Sequence, residues 1–362
     1  LTSNTSDSLK SRIDDLTKLG KIAKGEAAQS SYDTQKLRKL LDLRSVLKQP
    51  DGQYTPGKIH SRLDLGKDGW LYFSTHRGST KIAFKPDAKY RGDWILRHHL
   101  ASGKTEIVAH APLPMQCLPA SVTDPERLIF YAGTADGLNE DPPKFLAYDL
   151  RKRSILFSHD RGPARAMIYA RSTGRLYFHD SKEGPKHLVR FDPDEPTKLT
   201  PTKAKVGLRA TTMELPNGKV YTVDRDLLWE FDPNTETARE LGPTAVASKD
   251  YITSLDADLR TGRYLYYIPG AHGGAENDGS PLVQYDLKTD TRKVICFLHP
   301  FLHQRYGYTA MGSYAVAVSP DGSRIFATWN GNRAGQEPRR NRLRFDTVAM
   351  TVVEIPASER RP

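Results

Sequence analysis

The sequence predicts an all-β fold, a seven-bladed β-propeller. Three observations predict it. A tight turn followed by an aromatic and β-branched strand recurs seven times along the 362 residues, at a spacing of roughly fifty residues, which is the period of blade-type repeats. A second unit, two short strands around a polar turn, follows the first. The turns carry Asp-Gly and Asn-Gly pairs, which supply the positive φ of tight hairpins.

The first unit appears as Thr17–Ile22, Asp68–Phe73, Pro125–Phe130, Thr173–Phe178, Asn217–Tyr221, Thr261–Tyr267 and Asp321–Phe326. Each enters a strand of aromatic and branched residues that suits burial on both faces. The second unit is clearest in Tyr148–Leu150 with Ser154–Phe157, in Phe231–Thr235 with Ala238–Leu241, and in Tyr285–Thr289 with Arg292–Ile295. Four antiparallel strands per repeat make a propeller blade. The repeats run almost end to end, so residues 1–362 form a single domain. Residues 1–50 are either a first blade or an N-terminal extension, because Leu9, Ile13, Leu16, Leu19 and Ile22 also fit helical spacing. The alternative is therefore six blades with a helical N-terminal extension.

The formal net charge is +11, which favours anionic partners. The chain lacks a dense Lys/Arg run, and Arg339-Arg340-Asn341-Arg342 comes nearest, which argues against nucleic acid. No run of eighteen apolar residues exists, which argues against a membrane span. The polar start Leu-Thr-Ser-Asn-Thr-Ser suits a secreted or periplasmic protein whose signal peptide has been removed. Two cysteines, Cys117 and Cys296, fall in different repeats and read as separate buried thiols. There is no nucleophile elbow, dinucleotide fingerprint, P-loop or Gly-His…Trp-Asp repeat pair.

Propeller geometry brings two sets of loops to one rim: those leading into the innermost strands and those following the second strands. The first set carries Lys58, His60, Arg62, Gln116, Arg165, Arg209, Tyr251, Arg305 and Tyr308. The second carries His76, Arg77, Asp136, His179, Asp224, Arg225, His272, Glu276, Trp329 and Arg333. Histidine, arginine and tyrosine stand out there. His60 and His76 flank the Asp68-Gly69 turn, so both are expected on one rim. A second focus is the stretch His299–Tyr308. His272, His299 and His303 are the candidate ligands for one divalent metal ion, with Gln304 or Glu276 completing the set.

At blade level the chain resembles the secreted sugar-active propellers, a group that includes polysaccharide lyases of the oligogalacturonate and ulvan type. The resemblance implies β-elimination on a uronate-containing anionic polysaccharide or oligosaccharide by a monomeric enzyme. Such chemistry needs a cation to neutralise the uronate carboxylate, a base to take the C5 proton and an acid for the leaving oxygen. His60 or His76 is the candidate base, Tyr308 the acid, and Arg209 or Arg165 the carboxylate clamp. Arg62, Arg77, Arg165, Arg225, Arg333 and Trp329 are the candidate substrate contacts. Two alternatives stand beside this: a glycoside hydrolase using a carboxylate pair drawn from Asp136, Asp224 and Glu276, and a non-catalytic propeller that binds an anionic polymer or a protein partner.

Overall fold

A computed structural model of the chain describes residues 58–76, 90–135, 143–163, 165–179, 186–244, 246–333 and 347–361. Six sheets surround a common axis. The first blade is β1 (Asp64–Leu65), β2 (Trp70–Ser74), β3 (Trp94–His99) and β4 (Thr105–His110). The second is β5 (Cys117–Asp124), β6 (Ile129–Ala135), β7 (Phe145–Asp149) and β8 (Ser154–His159). The third is β9 (Met167–Ala170), β10 (Arg175–Phe178), β11 (Lys186–Phe191) and β12 (Leu199–Val206). The fourth is β13 (Ala210–Thr211), β14 (Val220–Asp224), β15 (Leu227–Asp232) and β16 (Thr237–Pro243). The fifth is β17 (Ile252–Ala257), β18 (Tyr264–Pro269), β19 (Pro281–Asp286) and β20 (Thr291–Phe297). Helix α1 (Leu298–Tyr306) leads to the sixth: β21 (Tyr308–Gly312), β22 (Val316–Val318), β23 (Arg324–Arg333) and β24 (Thr347–Glu354). Neighbouring strands pair antiparallel throughout, and β21 and β22 lie end to end along the same side of β23 as one broken inner strand.

The turn–strand units from Asp68–Phe73 onward become the second strands β2, β6, β10, β14, β18 and β23. The glycine at five of those turns has positive φ, from 65° to 80°; in the second blade Leu128 takes that conformation, at φ 56°. Inner strands such as β5 and β17 are buried along their whole length, whereas the outer strand β8 is mostly exposed.

The ring closes with six blades, not seven. Each blade buries an apolar face against the next, in six interblade clusters. In one of them Ile59, Leu63, Leu71 and Phe73 of the first blade pack on Ala315, Ala317, Phe326 and Met350 of the sixth. The Asn330 side chain seals this seam by accepting from the Ile59 N–H at 3.0 Å and donating to the Ile59 carbonyl at 3.4 Å. The two blades are in direct contact, so no seventh fits between them. The Thr17–Ile22 copy, and the choice between blade and helical extension for residues 1–50, lie outside the described residues. Among the described residues no helix is long and apolar enough to cross a membrane. Cys117 on β5 and Cys296 on β20 are both buried and are not disulfide-bonded.

Candidate functional site at the propeller axis

The inner strands do not run straight. Register shifts interrupt β5 between Cys117 and Ala120, β17 between Ile252 and Leu255, and the sixth inner strand between Ala310 and Gly312. Such bulges turn side chains off the regular alternation. They surround a small axial cavity to which every blade contributes: Arg62, Ser121, Arg165, Arg209, Thr253 and Tyr314, one from each, with His60 beside Arg62. Its volume of about 20 Å³ holds one water-sized group.

Aromatic and imidazole rings climb from this cavity to the rim. His60 stacks on Tyr314 with centroids 3.9 Å apart and planes 15° apart, and the tilted His76 ring lies 4.3 Å from His60. The Tyr314 hydroxyl accepts the His272 backbone N–H at 3.2 Å and lies 3.0 Å from His272 Nδ1. His272 stacks on Tyr251 at 4.9 Å, and the Tyr251 hydroxyl accepts from Arg209 Nε at 2.8 Å. His272 holds a left-handed backbone, φ 66°, the kind of strain that gathers at functional loops.

Several polar atoms in this region are buried without a hydrogen-bond partner among the described residues: both ring nitrogens of His60, Arg62 Nη1 and Ser121 Oγ. His60 is only 8% exposed and Ser121 2%. An unsatisfied buried polar atom costs about 1–3 kcal/mol, so four of them around one cavity favour a polar ligand there. The surrounding charge is cationic. Burial, then the neighbouring His76, Lys58, Arg209 and Arg165, hold the His60 pKa well below its ordinary value, so the imidazole is neutral at pH 7. Burial and then Arg209 lower the Arg165 pKa, although Arg165 itself is open to the channel. Burial pushes the Tyr314 hydroxyl up to about 12, so it is protonated. Deeper along the inner strands, Arg62 donates to Asp64 at 2.9 Å and lies 3.8 Å from Asp256, a strut between the first and fifth blades. Those aspartates also staple blades: Asp64 accepts from Thr123 N–H at 2.9 Å and Asp256 from Val318 N–H at 2.8 Å.

Of the residues singled out from the sequence, His60, Arg62, Arg165 and Arg209 line the cavity, and His76, Tyr251 and His272 join them through ring contacts and the Arg209–Tyr251 hydrogen bond. The rest fall elsewhere. Tyr308 is fully buried between the fifth and sixth blades, with its hydroxyl on the Trp329 carbonyl at 3.3 Å, because the inner strand starts there and breaks later. The tyrosine at the cavity is Tyr314, in that break, which the sequence reading missed. Trp329 is also fully buried, its indole N–H bonded to Thr351 at 2.8 Å, so it has no face for a sugar. Arg225 is exposed at the β14–β15 turn and does not line the cavity. Arg333 ends β23 opposite Tyr308, and its side chain lies outside the described part, as does Arg77 altogether.

The expected metal triad separates. His272 belongs to the ring ladder, whereas His299 and His303 face each other on α1 at 5.5 Å. Among the described residues no group of three or more His, Cys, Asp or Glu is placed to hold a metal. Of the hydrolase carboxylates, Asp136 lies outside the described residues, Asp224 and Glu276 do not line the cavity, and Glu276 accepts from Gly274 N–H at 2.9 Å.

No family model matches the chain, and no curated protein matches it. The fold is similar to that of solved propellers at low identity. A chain of the nidogen/laminin complex is 14% identical, with 65% of this chain and 78% of that one covered and a TM-score of 0.44. The U3-55K structure is 9% identical over 82% and 95%, TM-score 0.44. The WD40 repeats of RRP9 are 11% identical over 82% and 94%, TM-score 0.46.

Proposed function

We propose that this propeller is a binding module that takes an anionic ligand at its axial mouth. One observation carries the reading: unpartnered buried donors on His60, Arg62 and Ser121 surround a cavity flanked by Arg165 and Arg209. Arginine guanidinium groups recognise oxyanions through paired, charge-assisted hydrogen bonds, and a neutral imidazole and a hydroxyl add donors without adding charge. Calorimetry against acidic and neutral polymers of matched length tests it. Acidic polymers should bind, less tightly as salt rises, and Arg165→Ala should weaken binding about tenfold, the loss of one charge-assisted hydrogen bond. Equal binding of acidic and neutral polymers would overturn it.

A second reading, elimination on a uronate glycan, is favoured by one specific contact: neutral His60 stacked on protonated Tyr314 beside two arginines. In it His60 is the base, Tyr314 replaces Tyr308 as the acid, and Arg209 or Arg165 neutralises the carboxylate. Ultraviolet absorbance of an unsaturated uronate product, lost in His60→Ala and Tyr314→Phe, would mark an enzyme. Binding without that absorbance leaves the module.

A further inference from the structure

The size of the axial cavity restricts what its floor can hold. Its enclosed space of about 20 Å³ takes one small group. Its unpartnered donors lie below the surface: Ser121 is 2% exposed and His60 8%, while Arg165 and His272 at the mouth are exposed. The charged tip of a ligand must therefore be narrow and must project well ahead of the ligand's bulk. A carboxylate bonded directly to a pyranose ring projects by one bond of about 1.5 Å; one on a propionate arm, as in a glutamate side chain, projects by roughly three. The ring-borne group stops at the arginines of the mouth, while the arm-borne group reaches the buried donors.

Resting on the anion-binding reading, we infer that the pore floor is a site for one unbranched aliphatic carboxylate inserted end-on along the propeller axis. Its oxygens take the hydrogen bonds left open on His60, Ser121 and Arg62 Nη1, while Arg165 and Arg209 compensate its charge. Arg62 lines the cavity and is anchored by its Nε hydrogen bond to Asp64 at 2.9 Å. The six inner strands face the axis, so only a group approaching along it meets these donors together.

Poly-L-glutamate and polygalacturonate carry one carboxylate per residue and differ in how far it projects, which makes them the probes. Calorimetric titration of the full chain is run with each, alone and in the presence of excess butyrate, on the native protein and on Ser121→Ala. The substitution removes only a hydroxyl that has no partner and adds no atom to the cavity, so the fold should tolerate it. Poly-L-glutamate is expected to bind at least tenfold more tightly than polygalacturonate, to be displaced by butyrate, and to lose at least tenfold in affinity in Ser121→Ala. Polygalacturonate binding should be insensitive to both. If polygalacturonate binds as tightly and is displaced by butyrate as readily, the end-on site is wrong and the anion-binding module stands. If poly-L-glutamate binds but neither butyrate nor Ser121→Ala affects it, binding is confined to the rim, and again only the end-on site falls. If neither polymer binds, both readings fall.

Discussion

At the scale of the residue, His60 shows how burial among like charges sets chemistry. Its imidazole is kept neutral first by burial and then by His76, Lys58, Arg209 and Arg165. The unfolded chain protonates this group at its ordinary pKa of 6.5, and the folded chain does not until a lower pH. Below pH 6.5 the unfolded state therefore binds more protons, and the fold loses stability as pH falls. His299, lowered to about 4 by burial and then by His303, acts in the same direction between pH 6.5 and 4. Asp256 acts oppositely. Burial holds its carboxyl near 6 against an ordinary 3.8, so its ionisation cost disappears as pH falls through 6. The native curve mixes these effects, and single variants separate them. His60→Phe keeps a ring to stack on Tyr314 and removes the titration. Thermal unfolding should fall between pH 6.5 and 5 in the native protein and less steeply in the variant, with each unit of pKa depression worth about 1.4 kcal/mol and about 2 °C in a domain of this size. Parallel slopes would mean that His60 titrates normally.

At the scale of the element, the broken inner strand of the sixth blade separates two similar tyrosines. Tyr308 opens β21 and packs into the interblade core, whereas Tyr314 sits in the gap before β22 and reaches the axis. β23 then carries Trp329 inward, fully buried and bonded to Thr351. Trp329→Ala should cost about 3–5 kcal/mol in denaturant unfolding by opening a cavity, with ligand affinity of the folded protein unchanged. Weaker binding at unchanged stability would instead place the indole on the ligand. This explains what could be read from the chain. Turn–strand units were legible because a positive-φ turn and the strand after it are encoded by a few adjacent residues, and all six described copies became second strands. The pairing of His60 with His76 was legible because both flank one hairpin: the Lys58–His76 bridge follows once Asp68-Gly69 is the turn. Bulges were not legible. They depend on how two distant strands pair, so a shift of one or two residues along Met311–Ala315 was enough to exchange Tyr308 for Tyr314 at the site. The metal triad failed for a related reason: His272 belongs to a rim turn and His299 and His303 to α1, and closeness in sequence did not bring them together.

At the scale of the whole molecule, the site depends on closure of the ring. The His60–Tyr314 stack joins the first blade to the sixth, across the seam where the two ends of the described chain meet. The other five interblade apolar clusters join blades consecutive in sequence, so among them this seam alone closes a loop of more than two hundred residues and carries the largest chain-entropy cost. Asn330 holds it through both backbone groups of Ile59, with a side chain that is 1% exposed. Asn330→Ala leaves a buried N–H and a buried carbonyl unpaired, at about 1–3 kcal/mol each. The expected result is local loosening: faster amide exchange in residues 58–65 and 308–318 than in the third blade, with weaker anion binding because His60 and Tyr314 no longer hold their stack. The control is Phe145→Leu, which disturbs the cluster between the second and third blades, far from the seam. It should lower stability without changing exchange at the seam or affinity at the axis. If both variants weaken binding equally, the pore responds to overall stability. If only Asn330→Ala does, the closure between first and last blades is what shapes the site.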